Sequence, residues 1–138
     1  MDRDNLKKVY TSVILPSVEY CSEIYHSLIP AYISDKLESV HRRAIRIIFG
    51  YGVDFEALVA DGVVCTLEER RQKACARFAN RSMVNPKFGP RWFPVNRTER
   101  TVRDGTRRHF VEGPYKTERD KNNPIQFMLR LLNRLSSD

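Results

Sequence analysis

Three arginines at helical spacing are the side chains of this sequence best suited to bind a ligand. Arg42, Arg43 and Arg46 lie in a segment with helical periodicity, and Arg42 and Arg46 are about one turn apart. Guanidinium groups carry several N–H donors in a planar arrangement that matches the oxygens of phosphate. The cluster therefore predicts a site for a polyanion.

Further basic candidates follow along the chain. They are Arg70, Lys73, Arg77, Arg107 and Arg108. The chain has 24 Lys+Arg against 17 Asp+Glu, for a net charge of +7, and the segment from Lys87 to Lys121 contributes five of these seven charges. An excess rich in arginine favours binding to a nucleic-acid backbone, although a basic surface without a ligand has the same composition.

No residue pattern for catalysis or metal binding accompanies these arginines. Polymerase and nuclease centres need carboxylates that converge on two metal ions, but no two aspartates are adjacent in the sequence. HExxH, GxSxG and Walker motifs are missing, and the three cysteines are widely spaced, which argues against a zinc site or a disulfide framework. We therefore expect no catalytic residue, no metal ligand and no cofactor, and no enzyme activity from this chain alone.

Apolar segments are too short for a membrane span, which needs about 20 residues. The sequence from Met1 to Lys8 is polar and contains no apolar signal-peptide core. Together with cysteines that predict no disulfide, these features lead us to expect an intracellular protein, in the nucleus or the cytoplasm.

The first 85 residues show the apolar periodicity of helices. A helix is expected from about Asn5 to Leu15, where Pro16 should stop or kink it, and a second from about Val18 to Tyr25 with Cys21 on its inner side. Two further helices are predicted in the second half of this region. One lies between Asp54 and Asp61, and a capping box from Thr66 to Glu69 opens the other, from about Leu67 to Val84.

The clearest helix extends from Ser34, its expected cap, to Gly50. Its apolar side is formed by Leu37, Val40, His41, Ala44, Ile47 and Ile48. Since no partner histidine, cysteine or carboxylate pattern accompanies His41, we expect a partly buried, hydrogen-bonded imidazole there rather than a ligand or a base.

The sequence changes character after residue 85. Five prolines and three glycines in the next forty residues indicate an irregular arm, with Phe88, Trp92, Phe93, Phe110 and Tyr115 between its arginines. These rings either stack on bases or dock the arm on the helices, and docking is the favoured interpretation. A last helix is expected from Asn123, with Pro124 in its first position. Its apolar stripe is Ile125, Met128, Leu129, Leu132 and Leu135.

Several short segments, in order and spacing, resemble the C-terminal part of non-LTR (LINE or jockey-like) retrotransposon reverse transcriptases. They are Leu6–Tyr10, Ile14–Tyr20, Leu37–Gly50, Leu67–Arg71, Thr117–Arg119, Asn123–Ile125 and Leu129–Asn133. The resemblance covers nearly the whole chain. It implies that the helical segment over residues 1–85 is a small, thumb-like domain. With the patterns above, this predicts an all-α fold in which a basic arm rich in proline and aromatic residues over 86–122 and an amphipathic helix over 123–138 follow that domain.

The resemblance also implies a function. In that family the thumb holds the primer–template duplex behind the active site, mostly through phosphate and sugar, which positions nucleic acid without reading sequence. The expected ligand is RNA, DNA or an RNA–DNA hybrid, and the expected protein partner is the palm-fingers portion of the parent polymerase. A helical protein–protein interaction module and a non-functional remnant of a truncated element remain alternatives. The oligomeric state is left open.

Overall fold

A computed structural model describes residues 2–95 and 110–136 of the chain. Within these ranges the protein is all-α, and the extended pairing they contain is one isolated antiparallel bridge between Val95 and Phe110. The predicted fold class is therefore confirmed. The helices are α1 Arg3–Val9, α2 Leu15–Glu19, α3 Ser22–Tyr25, α4 Ala31–Phe49, α5 Phe55–Ala60, α6 Leu67–Val84, α7 Gly89–Trp92, α8 Glu118–Lys121 and α9 Pro124–Leu135.

The N-terminal helix continues through Pro16, so the predicted stop at this residue is wrong. A π-helical turn, Tyr10–Ile14, joins α1 to α2, and the Leu15 N–H donates to the Tyr10 carbonyl oxygen across this wider turn. Proline removes one backbone donor and crowds the preceding turn, and a π turn at that point lets the helix bend without ending. The Ser17 hydroxyl also donates to the Val13 carbonyl oxygen at 2.7 Å.

The chain direction changes at Cys21 instead. Cys21 has a positive φ of 55°, a conformation that residues other than glycine rarely adopt. The predicted second helix is therefore split, and Cys21 is exposed rather than turned inward. Ser22, the next residue, is buried at the start of α3.

Two compact groups of residues form within the chain. Unit 1 is made of Met1–Ser22 and Ile29–Gln72, and unit 2 is made of Glu23–Leu28 and Lys73–Asp138. The boundary falls inside α6, so the first residues of that helix belong to unit 1 and the rest to unit 2. The domain limits predicted at residues 85 and 122 stay a prediction.

Unit 1 has its own hydrophobic core, to which four helices and the π turn contribute. Its buried apolar residues are Tyr10, Leu15, Ile45, Ile48, Phe55 and Leu67. The buried line of α4 runs through His41, Ile45 and Ile48, whereas Val40 and Ile47 are 58% and 49% exposed. The predicted inner side is therefore correct for His41 and Ile48 and wrong for Val40 and Ile47, and Ile45 is buried although it was not predicted.

The predicted starts of α5 and α6 are confirmed, whereas the predicted cap of α4 is wrong. Thr66 Oγ1 accepts from the Glu69 N–H at 3.1 Å, and Asp54 Oδ1 accepts from the Glu56 N–H at 3.3 Å. That residue, Ser34, lies inside α4 rather than at its start, because Pro30 occupies the cap position.

Unit 2 is built around α9 and the second part of α6. Its buried core is Cys75, Ala79, Phe93, Phe110, Met128, Leu129 and Leu132. Phe93 and Phe110 are thus docked on helices, as the favoured interpretation predicted, while Phe88 and Tyr115 are 43% and 47% exposed. Asn123 caps α9 by accepting from the Ile125 N–H at 3.0 Å. Of the predicted α9 stripe, Leu135 is exposed.

Candidate nucleic-acid interface

The arginines of α4 line one open groove in unit 1. Arg42, Arg43 and Arg46 share this groove, of about 440 Å³, with Ser39 and Tyr51. Residues three and four apart in a helix lie on the same side, which places 39, 42, 43 and 46 together. The structure therefore brings together the three arginines that the sequence singled out first.

Tyr51 belongs to this groove because α4 ends in a tight turn. Gly50 has a φ of 104°, a conformation that favours glycine, and its N–H donates to the Arg46 carbonyl oxygen at 2.9 Å. The Val53 N–H closes the turn on the Gly50 carbonyl oxygen at 3.3 Å. The Tyr51 side chain is 82% exposed. Tyr51 was not predicted from the sequence, although an aromatic residue between two glycines after a basic helix was a usable signal.

Arg42 is partly neutralised by α5. Its guanidinium lies 2.6 Å from a Glu56 carboxylate oxygen and 4.9 Å from the centroid of the Phe55 ring. Both partners follow Asp54, the cap that starts α5, so this helix positions an anion and a ring against one arginine. Arg42 therefore has fewer donors for a phosphate than its two neighbours on α4.

Arg43 and Arg46 have the groove's most available positive charges. Both side chains are exposed, and within residues 2–95 and 110–136 neither has an ion-pair or hydrogen-bond partner. Exposed guanidinium groups keep their hydration until a ligand arrives, so a phosphate has no internal carboxylate to displace from these two residues. They are the better candidates for phosphate contacts.

Arg70 is held inside unit 1 by Glu19. Its Nη2 lies 3.1 Å from Glu19 Oε2, and its Nε also donates to Glu19 Oε1. The hydrogen bond with Glu19 is the main cause that raises the pKa of Arg70. This two-point pair ties α2 to α6 across 51 residues of sequence. A role of Arg70 in phosphate binding stays a prediction.

Of the remaining basic candidates, the structure describes two. Lys73 and Arg77 are exposed and belong to unit 2. Arg107 and Arg108 lie outside the residues that the structure describes. The interface that the geometry supports is therefore the α4 groove.

A buried histidine lies directly behind the arginines on α4. His41 is 3% exposed, its Nε2 lies 3.1 Å from the Cys65 carbonyl oxygen, and its Nδ1 pairs with the Tyr10 hydroxyl. An Nε2–H that donates to Cys65 leaves Nδ1 to accept from Tyr10. The prediction of a hydrogen-bonded core imidazole is confirmed. Burial lowers the pKa of His41 and raises the pKa of Tyr10 to about 12.

Acid should therefore destabilise unit 1 through His41. Its pKa is lowered in the folded state by burial, against the opposing effects of the Cys65 hydrogen bond and the Glu38 charge. The contribution of neutral His41 to stability is fully present above its ordinary pKa of about 6.5. As pH falls from there toward the lower folded-state pKa, we expect the free energy of unfolding to drop by up to about 1.4 kcal/mol per pH unit. Urea unfolding at pH 7.5, 6.5 and 5.5 measures the loss. His41→Gln should flatten the dependence, and an unchanged dependence in that variant would contradict the assignment.

Among the residues that the structure describes, no three His, Cys, Asp or Glu side chains are grouped to hold a metal ion. None of the helices described is long and apolar enough to cross a membrane. Comparisons with protein-family models, curated proteins and solved structures found no match for this chain. A functional proposal therefore depends on the groove itself.

Proposed function

We propose that this protein binds the sugar–phosphate backbone of RNA, DNA or an RNA–DNA hybrid without sequence preference, through the α4 groove. The observation that carries the proposal is the pair of exposed arginines, Arg43 and Arg46, that line one groove with Arg42. Phosphate contacts from guanidinium groups fix the position of a nucleic acid and carry no sequence information.

The resemblance to non-LTR retrotransposon reverse transcriptases supplies the proposed context. The helical domain would act as a thumb that holds the primer–template, while the polymerase carboxylates would belong to a palm-fingers partner. The all-α fold and the basic side of α4 support this proposal. In this context the chain holds the substrate and performs no chemistry of its own.

Salt dependence tests backbone binding, because each phosphate contact releases bound counterions. We expect affinity for a 20-base-pair RNA–DNA duplex to fall linearly on a log–log plot between 50 and 200 mM salt, measured by fluorescence anisotropy. The variant Arg43→Ala/Arg46→Ala should weaken binding equally for two unrelated sequences and lower the slope by about 2. Lys8→Ala/Lys36→Ala removes the same charge from exposed positions of unit 1 outside the groove, and it should leave the slope nearly unchanged.

The Arg42–Glu56 pair provides a second arm of the same titration. Glu56→Gln removes the carboxylate that lies 2.6 Å from Arg42 and should make this guanidinium available to a phosphate. We expect a tighter complex and a slope that is steeper by up to about 1.

Equal affinity and slope in the wild type and the Arg43/Arg46 variant would refute the proposal.

The structure weakens the alternative of a protein-interaction module, because apolar residues that would bind a partner are buried. That hypothesis depends on the amphipathic terminal helix and the aromatic arm. Met128, Leu129 and Leu132 of the helix are buried in the core of unit 2, and so are Phe93 and Phe110 of the arm. On α4, the aliphatic residues Val40 and Ile47 are exposed and favour a protein contact. Binding to a protein through them would survive high salt, which separates the two functions in the titration above. A cooperative thermal transition would exclude a remnant that does not fold.

A further inference from the structure

We infer that the α4 groove holds an unpaired nucleotide, with its base stacked on Tyr51 and its flanking phosphates on Arg43 and Arg46. The inference rests on the proposed function and narrows its ligand. A backbone-binding surface needs only positive charge, whereas this groove combines charge with an exposed aromatic ring. The ligand class is then a nucleic acid with a single-stranded segment.

The position of Tyr51 carries the first step. Its ring is 82% exposed and takes no part in the core of unit 1, so packing does not account for an aromatic residue there. The turn that starts at Gly50 holds it beside α4 with two backbone hydrogen bonds. Exposed rings beside a basic groove are the stacking surfaces of proteins that bind single strands.

The chemistry of stacking carries the second step. A ring stacks on the face of a base, and inside a duplex both faces of each base are covered by the neighbouring bases. Tyr51 therefore favours an unpaired nucleotide, in a single-stranded extension or in a single strand. Because every base has such a face, stacking adds affinity without adding sequence preference. The groove, at about 440 Å³, is within the range of sites that hold one small ligand.

The polar groups of the groove differ in their hydrogen-bonding capacity, and the differences match the parts of a nucleotide. Arg42 is engaged by Glu56, which leaves Arg43 and Arg46 for the phosphates. The Ser39 hydroxyl donates its proton to the Lys36 carbonyl oxygen at 2.7 Å, so toward the groove it offers lone pairs. Lone pairs repel a phosphate but accept from a sugar hydroxyl or a base amino group.

Three ligands test the inference by fluorescence anisotropy with the full chain at 50 mM salt. They are a blunt 20-base-pair duplex, the same duplex with a four-nucleotide single-stranded extension, and a ten-nucleotide single strand. The wild type should bind the two ligands with unpaired bases more tightly. Tyr51→Ala should weaken both by about five- to a hundredfold and leave the blunt duplex unchanged. Tyr51→Trp should restore binding, and Tyr20→Ala, at a 77% exposed ring outside the groove, should have no effect.

The outcomes separate this inference from the proposed function. If Tyr51→Ala binds all three ligands like the wild type while Arg43→Ala/Arg46→Ala weakens them, backbone binding stands and the nucleotide site is wrong. If the wild type binds none of them, the proposed function itself fails. If poly-glutamate competes as well as the single strand and depends equally on Tyr51, the groove binds an acidic polypeptide and the inference is overturned. Circular dichroism of each variant checks the fold.

Discussion

Replacing Phe55 with alanine is expected to lower the free energy of unfolding of unit 1 by about 3–5 kcal/mol, the cost of removing a large buried aromatic side chain. Phe55 is 2% exposed and is the first residue of α5. Its ring meets the His41 ring edge-on with 5.6 Å between centroids, and the Arg42 guanidinium lies over it at 4.9 Å. One side chain therefore supports both the buried histidine and an arginine of the groove.

Urea unfolding followed by circular dichroism measures the loss, and hydrogen exchange at α4 amides assigns it to unit 1. Tyr20→Ala is the matched control, because it removes an aromatic ring that is 77% exposed, and its effect should stay within about 0.5 kcal/mol. Phe55→Leu retains an apolar side chain and should lose much less than the alanine variant. A Phe55→Ala protein as stable as the control would show that this ring does not anchor the core.

The helices that the sequence predicted correctly are those whose ends carry local signals. Gly50 ends α4, Thr66 opens α6 and Asn123 opens α9, and each acts on backbone groups within three or four residues. A capping residue and the backbone groups that it binds are a few residues apart, so the local sequence contains both partners of the interaction. The end of α4 and the starts of α6 and α9 could therefore be predicted closely, whereas α4 begins at Ala31, before its expected cap Ser34.

The inner side of α4 could not be predicted in the same way. Apolar residues fall on more than one side of this helix, and the sequence does not say which side meets the rest of unit 1. Packing against the N-terminal helix decides it, because the Tyr10 hydroxyl pairs with His41, 31 residues away. Val40 and Ile47 are left exposed by the same choice.

The candidate site shows the same division between local and distant information. The spacing of Arg42, Arg43 and Arg46 predicted that they share one side of a helix, and they line one groove. The different availability of the three arginines depends on Glu56, which reaches Arg42 only when α5 packs on α4. The charge pattern of the sequence thus identifies the basic side of the helix, and the tertiary structure determines which of its arginines are available to a ligand.

A buried side-chain amide, that of Asn133, holds Phe110 in the core of unit 2. Asn133 is 7% exposed on α9, its Oδ1 accepts from the Phe110 N–H at 2.8 Å, and its Nδ2 donates to the Phe110 carbonyl oxygen at 3.1 Å. Nδ2 also lies 3.3 Å from Glu112 Oε1. One side chain therefore binds both backbone groups of Phe110 and holds its ring in the core, edge-on to Phe93.

Asn133→Ala is expected to destabilise unit 2 by about 2–4 kcal/mol, because removing one partner of a buried hydrogen bond costs about 1–3 kcal/mol and Asn133 binds two backbone groups. Urea unfolding, with hydrogen exchange at α9, measures the effect. Asn133→Asp keeps the size but turns a donor into a carboxylate oxygen beside Glu112, so at neutral pH it should be at least as destabilising. Asn80→Ala, at an exposed position of α6, should stay within about 0.5 kcal/mol of the wild type. If the Asn133 variants matched that control, the core of unit 2 would depend on apolar packing alone.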